Sequence, residues 1–392
     1  MGQPLEGIRV LDFGRFIAGP YAAMMLADFG ADVIRIERRE GGEDRRLGPV
    51  TEGGEGGLFL NVNRNKRGLT LDPAHPLAAE IVPRLVETAD IVVANLPQNV
   101  LARLRLDYDS LRAVKHDVIL VMASAFGPDG PYRDRVGFDA VAQATSGAMS
   151  LTGFPDAPVR AIVSFVDYGT ALHAAFGAMA ALVHRAQSGE GQVIDVSLLA
   201  TSVTFMTPYL MERQLKGVVR RRQGNTGYYT APSDAYRTRD GWIMVPTIGD
   251  DMFRRWARLV GREEWIDDPR FQDDITRADN AALVGDVMSQ WCAARTRDEA
   301  VRELVLARIP CGPVYELDEV LADEQVRARG LLEETAYCGQ PVAVSSPAAR
   351  LSRSPGNVRR PAPKLGEHTD EILSELGFTA DRIAMFRGQG VI

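Results

Sequence analysis

The chain predicts an α/β fold, with a mostly parallel sheet covered by helices on both faces and a second, smaller domain. Three observations carry this. Short β-branched apolar runs alternate with helical stretches over the first third. The length, 392 residues, exceeds what one ordinary core supports. The texture changes near residue 220, after which all four tryptophans occur.

Ile8 to Phe13 (IRVLDF) reads as a buried strand. Gly14, Gly19 and Pro20 mark a turn, and Tyr21 to Phe29 reads as a helix closed by Gly30. Ala31 to Ile36, Ala89 to Ala94 and Val118 to Ser124 are further strands. Leu- and Ala-rich helical stretches such as Pro76 to Thr88 separate them, which favours parallel pairing. Residues 167 to 187 form a helix that is small and apolar all round, and so is expected to be buried. Val193 to Leu198 is another strand and Leu199 to Lys216 a long helix. Val219 to Asn225 is a basic linker. After Arg327 the chain turns Pro- and Ser-rich, which suits an extended return over the surface, and Thr369 to Leu376 is the last helix. The expected domains are therefore 1–220 and 226–325, with 326–392 returning to the first.

Composition narrows the function classes. With 45 % hydrophobic and 25 % charged residues the chain has a globular profile. A net charge of −7 offers no bulk attraction to nucleic acid or an anionic membrane. The three cysteines are scattered, which points to a reducing compartment without a disulfide framework. The five histidines lack metal-site spacing, so no metal is expected. No basic n-region precedes an apolar stretch and no run is long enough to span a bilayer, so a cytoplasmic protein is expected.

Several constellations could carry chemistry. The first strand–turn–helix resembles a dinucleotide-binding unit, with Glu37 where a ribose-binding acid would lie. Its turn reads GRFIAGP, however, without the GxGxxG spacing. Basic residues follow the strands: Arg38, Arg39, Arg45, Arg46, Lys66, Arg67, Arg103 and Arg105. Such a set suits a ligand with several phosphates, and equally a solvated charged face. Asp167 follows an apolar run and opens the long helix. That is a place for an N-cap. It is also a place where the helix N-terminus would keep a nucleophilic carboxylate ionised. His173 and Cys311 read as packed residues.

The ordered segments GIRVLDFGRFIAGPYAAMMLADFGADVIRIER, NRNKRGLTLD, ADIVVANLP, SAFGPDGPYRDRVGFDAVAQATSGAMSLTG, VDYGTALHAAFGAMAAL, GEGQVIDVSLLA, IPCGPV and LGEHTDEIL run nearly end to end. Together they resemble the class III CoA-transferase family, which includes formyl-CoA transferase and the α-methylacyl-CoA racemases. The resemblance implies a large Rossmann-like domain built from both chain ends, a small α+β domain, and two chains threaded as an interlocked homodimer. It implies an acyl-CoA and a carboxylic acid as substrates, with coenzyme A visiting as a thioester and no tightly bound cofactor.

By the same resemblance Asp167 is the nucleophile. Its carboxylate would form an acyl–aspartyl anhydride and then an enzyme–CoA thioester. The positions matching CoA contacts are Arg15, Phe16, Ala18, Arg38, Leu71, Asn95, Leu96 and Arg103, with Arg38 and Arg103 at the phosphates. Arg15, Phe138 and Asp139 would face the acyl group. Phe138 stands where the racemase branch has a proton-transferring histidine, which favours transfer over racemisation. Arg15 and Ile17 replace a histidine and a glutamine of formyl-CoA transferase, and Pro97 replaces a frequent arginine. The residues from Gly224 to Gly227 offer a partial glycine loop. Arg15 suits a second carboxylate, as on succinyl-CoA and another short diacid.

Overall fold

The computed structural model describes residues 2–392. The chain divides into two compact units. One comprises the chain through Ala148, with Ala161–Leu210 and Gln325–Ile392; the other comprises Met149–Arg160 and Met211–Glu324.

The first unit is built on six strands: β1 (Arg9–Asp12), β2 (Asp32–Glu37), β3 (Lys66–Thr70), β4 (Ile91–Ala94), β5 (Ile119–Ser124) and β6 (Val193–Ser197). Their order is β3-β2-β1-β4-β5-β6 and every neighbouring pair is parallel. This is the doubly wound dinucleotide-type order, and it reverses between β1 and β4.

Alternation along each strand sends successive side chains to opposite faces. Leu11, Ile34, Leu69, Val92 and Leu120 pack on one face with α2 (Ala78–Thr88) and the C-terminal residues Ile372 and Phe386. Val10, Val33, Ile91, Val93 and Val121 pack on the other with α1 (Ala18–Asp28) and α4 (Phe165–Ser188). Each fully buried side chain of this size contributes about 2 kcal/mol of transfer free energy. Between β5 and α4 lies the short helix α3 (Asp139–Thr145), and α5 (Leu198–Lys216) follows β6.

Strand β3 is a correction to the reading of Lys66 and Arg67 as loop residues open to ligand. Lys66 is fully buried, and its Nζ donates to Asp12 at 2.7 Å, to the Pro20 carbonyl at 2.8 Å and to Asn63 at 2.9 Å. Arg67 pairs with Asp32, Glu371 and Glu375. Charges can enter a sheet when each is answered by hydrogen-bonded partners.

Helix α4 corrects a second expectation. Its small residues Ala171, Ala174, Ala175, Ala178 and Ala181 recur at helical spacing and are buried. The opposite face, with Leu172 52 %, Phe176 77 % and Val183 58 % exposed, lies open. Among the described residues α4 is the one helix long and apolar enough to cross a bilayer. Its alanine face is nevertheless seated in the core beside α1 and β5. His173 is exposed rather than packed, with its Nδ1 3.2 Å from the Thr201 hydroxyl.

The return segment contains an antiparallel hairpin, Leu332–Tyr337 with Gln340–Ser345, that its composition does not announce. Farther on, Asn65 Oδ1 accepts from the Arg359 amide at 2.6 Å, and its Nδ2 donates to the Asn357 carbonyl at 2.8 Å.

The second unit has a three-stranded antiparallel sheet with Trp242–Pro246 between Ser233–Arg237 and Gly312–Pro313. Phe253, Trp256, Phe271, Met288 and Trp291 form its core, and Trp265 stacks on Phe271 at 4.6 Å. The amides of Gly224 and Gly227 already donate to Gly153 and Ser233 carbonyls, so they are not free to form an oxyanion loop.

Candidate active site

A cavity of about 570 Å³ opens at the carboxyl ends of β1, β4 and β5. It sits where the strand order reverses, the usual ligand crevice of such sheets, and its volume suits a small-molecule site. Arg15, Phe16, Ala18, Asn95, Leu96, Phe138 and Asp167 all line it. Residues far apart in the chain are thus brought together around one cavity.

Asp167 is the third residue of α4, not its N-cap; Ser164 holds that position without a side-chain cap. The free amides of the first turn go elsewhere. Asp139, buried at 4 % exposure, accepts from the Val166 amide at 2.8 Å and the Asp167 amide at 3.2 Å through Oδ2. Its Oδ1 takes a hydrogen bond from the Gln143 amide nitrogen. Asp139 thereby caps α4 from outside, and it is not among the residues that line this cavity.

Asp167 is half-buried, and among the described residues no cation pairs with its carboxylate. Burial first, and the Asp139 carboxylate second, push its carboxyl up to about 7. The helix N-terminus was expected to keep it ionised. With Asp139 already occupying the two amides, that stabilisation goes to Asp139 instead. A carboxylate short of solvent and of partners is a stronger nucleophile once ionised.

A second cavity on the same side is lined by Arg15, Arg38, Leu71, Leu96 and Arg103. Arg38 and Arg103 are exposed there. Other members of the basic cluster serve the fold. Arg45 is buried, holding Glu37 by two hydrogen bonds at 2.6 and 3.2 Å and the Pro363 carbonyl at 3.2 Å. Glu37, the candidate ribose acid, is committed to that pair. Arg15 is ion-paired with the exposed Glu43 at 2.8 Å. The Phe138 ring meets Phe16 edge-on at 5.4 Å.

The sequence reading missed several cavity residues. Arg133 and Arg135 reach it from the loop after β5, and Asp195 from β6. The run DGPYRDR offered basic residues next to a turn, but nothing in it said where the loop would fold. Pro97, in place of an arginine, lines the cavity ahead of the helix Gln98–Arg103.

The model of "CoA-transferase family III" matches residues 5–369. A succinate–glutarate CoA-transferase of Agrobacterium fabrum is 35 % identical, over 95 % of this chain and 96 % of its own. A succinyl-CoA–D-citramalate CoA-transferase of Chloroflexus aurantiacus is 35 % identical, over 100 % of this chain and 98 % of its own. The crystal structure of a CAIB/BAIF family protein from Brucella suis superposes with a TM-score of 0.85 at 33 % identity, covering 96 % of this chain and 100 % of that one. With the doubly wound sheet, the cavity at its switch point and a match along nearly the whole chain, this protein belongs to CoA-transferase family III.

Proposed function

We propose that this enzyme carries CoA from succinyl-CoA to a short dicarboxylic acid through covalent intermediates on Asp167. The observation that carries the reading is Asp167 itself: a carboxylate without a counter-ion among the described residues, in a cavity shared with Arg15. The relatives' names support the substrate class, since they pair succinate or succinyl-CoA with glutarate or citramalate.

An Asp167 oxygen attacks the thioester carbonyl, the C–S bond breaks, and the thiolate leaves with the electron pair. The thiolate then attacks the Asp167 carbonyl carbon and expels the donor acid as a carboxylate, leaving an Asp167–CoA thioester. The acceptor carboxylate attacks that thioester, forming a second anhydride and releasing the thiolate again. The thiolate attacks the acceptor carbonyl, which yields the new acyl-CoA and restores Asp167. Each step replaces one activated acyl bond with another, so no external energy source is needed.

Arg15 would hold the remote carboxylate as a fork, exchanging Glu43 for substrate. Arg38 and Arg103 would meet the phosphates of CoA, with Leu71 and Leu96 along the adenine and pantetheine. Phe138 cannot exchange an α-proton, which favours transfer over racemisation. The open apolar face of α4, with exposed Val203 and Phe205 on α5, supports a homodimer that covers it.

Intact-protein mass spectrometry tests the chemistry. Wild type incubated with succinyl-CoA is expected to show an adduct that hydroxylamine removes, and Asp167→Ala to show none. No adduct on wild type with succinyl-CoA or a panel of acyl-CoAs would sink the reading.

A further inference from the structure

The loop Gly14–Arg15–Phe16 meets both cavities through Arg15, which lines each of them together with Leu96 and Val100, while Phe16 lines the first. Phe16 adopts φ +61°, a left-handed conformation unfavourable for a side chain with a Cβ. Such a conformation persists only where its surroundings over-determine it.

Here they do. Asn95, at the end of β4, closes on the Arg15 backbone in both directions: its Oδ1 accepts from the amide at 2.7 Å and its Nδ2 donates to the carbonyl at 2.7 Å. Asp12 Oδ1 accepts from the Gly14 amide at 2.8 Å. Arg35, from β2, donates to the Gly14 carbonyl and, at 2.7 Å, to Asp44. Asp44 Oδ2 in turn accepts from the Phe16 amide at 3.3 Å. Five main-chain groups of three residues are therefore held by side chains. Arg35 and Asp44 are both buried, at 1 % and 2 % exposure, so these bonds are shielded from water.

We infer that Asp44 and Asn95 are positioning residues for acyl-CoA recognition, aiming Arg15 and Phe16 by fixing the backbone of the loop that meets both cavities. This rests on the reading that the loop contacts the CoA thioester. Asn95 matches a family CoA contact, but here both ends of its amide are already engaged by Arg15. Asp44 acts one layer further back, through the Phe16 amide and Arg35.

The experiment compares Asp44→Asn, Asn95→Ala and Asn95→Asp with wild type. It reads KM for succinyl-CoA, kcat, the melting temperature, and the dissociation constant of free CoA by calorimetry. The matched control is Asp28→Asn, which weakens a buried carboxylate that touches Arg64 and Asn65 but not this loop. The expected result is a roughly tenfold rise in KM and in the CoA dissociation constant for Asp44→Asn and Asn95→Ala, with kcat within about threefold, as one lost hydrogen bond to a charged or buried group supports. Asp28→Asn is expected to melt lower with KM unchanged. KM and CoA affinity within twofold of wild type in the loop variants would overturn the inference. So would a KM that rises equally in Asp28→Asn, because the effect would then be general loosening. If Asp44→Asn does not fold, the two Asn95 variants decide. A wild type that binds CoA but transfers none would refute the transferase reading alone, since the calorimetric comparison stands without turnover.

Discussion

Asp28 and Asp167 are carboxylates on helices of the same unit, and burial pushes both carboxyls up. Their surroundings then diverge. Asp28, at the C-terminal end of α1, is answered by Arg64 at 2.7 Å and by Asn65 at 2.8 Å. Asp167, near the N-terminal end of α4, has no such partner among the described residues, and its charged neighbour is another carboxylate, Asp139. The first arrangement ties α1 to the segment before β3. The second leaves a carboxylate poised to react. A buried acid with partners serves the fold, whereas one left without them in a cavity points to chemistry.

The contrast can be broken most sharply at Asp167. Asp167→Asn is expected to lower kcat for CoA transfer by at least ~10³-fold, since it removes the nucleophile while keeping the shape. A coupled assay following acyl-CoA exchange checks this, and residual activity near wild type would place the chemistry elsewhere. Asp28→Asn should do the reverse. It leaves Arg64 buried with a weakened partner and is expected to cost about 3 kcal/mol of stability in chemical denaturation. Its kcat should stay near wild type.

Arg15→Ala probes the acyl side. Loss of a guanidinium fork to a remote carboxylate is expected to reduce the preference for dicarboxylic over monocarboxylic acceptors about tenfold. Unchanged selectivity across a panel of acids would remove Arg15 from that role.

The pH dependence follows from the raised Asp167 carboxyl. The reactive form is ionised, so kcat/KM for the acyl-CoA should fall about tenfold per pH unit below pH about 7. Asp139→Asn removes the second cause of the shift but not the burial. The midpoint of that limb should therefore move down, with a lower melting temperature from the weakened cap on α4. A midpoint that stays in place would mean that burial alone sets it.

The smallest effect is on stability. Because the folded protein holds the Asp167 proton more tightly than the unfolded chain, this group's contribution is full below its ordinary value near 3.8 and is lost as pH rises through about 7. At pH 8 wild type carries a poorly solvated charge that Asp167→Asn lacks. The variant should melt a few degrees higher there, with the gap narrowing in acid. A gap independent of pH would show that Asp167 is not titrating.

Much of the sheet was legible. β1, β2, β4, β5 and β6 are short apolar runs flanked by turns and helical stretches, and that pattern carries their type and parallel pairing. β3 was hidden because KRGLT looks like a basic loop until Asp12, Asp32 and Glu375 arrive to answer its charges. The buried Arg35 and Arg45 were hidden for the same reason. At the site, Arg15, Asn95, Phe138 and Asp167 line one cavity, while the Asp139 carboxylate accepts from two α4 amides. Arg133, Arg135 and Asp195 went unnamed because loop and edge positions show no periodicity.

By itself, then, the sequence determined the elements with strong local signals, the α/β class, the family, and the presence of an aspartate at the head of a long helix. Alternation and helix periodicity are local properties, and a chain carries them in plain view. The tertiary structure decided which charges are neutralised and which are left alone. It brought Asp139 to the α4 amides from 28 residues upstream. It closed Asn95 on Arg15 across 80 residues, and left one face of α4 uncovered. These are outcomes of distance and solvent access between residues remote in sequence, and electrostatic energies depend on both far more steeply than on residue type.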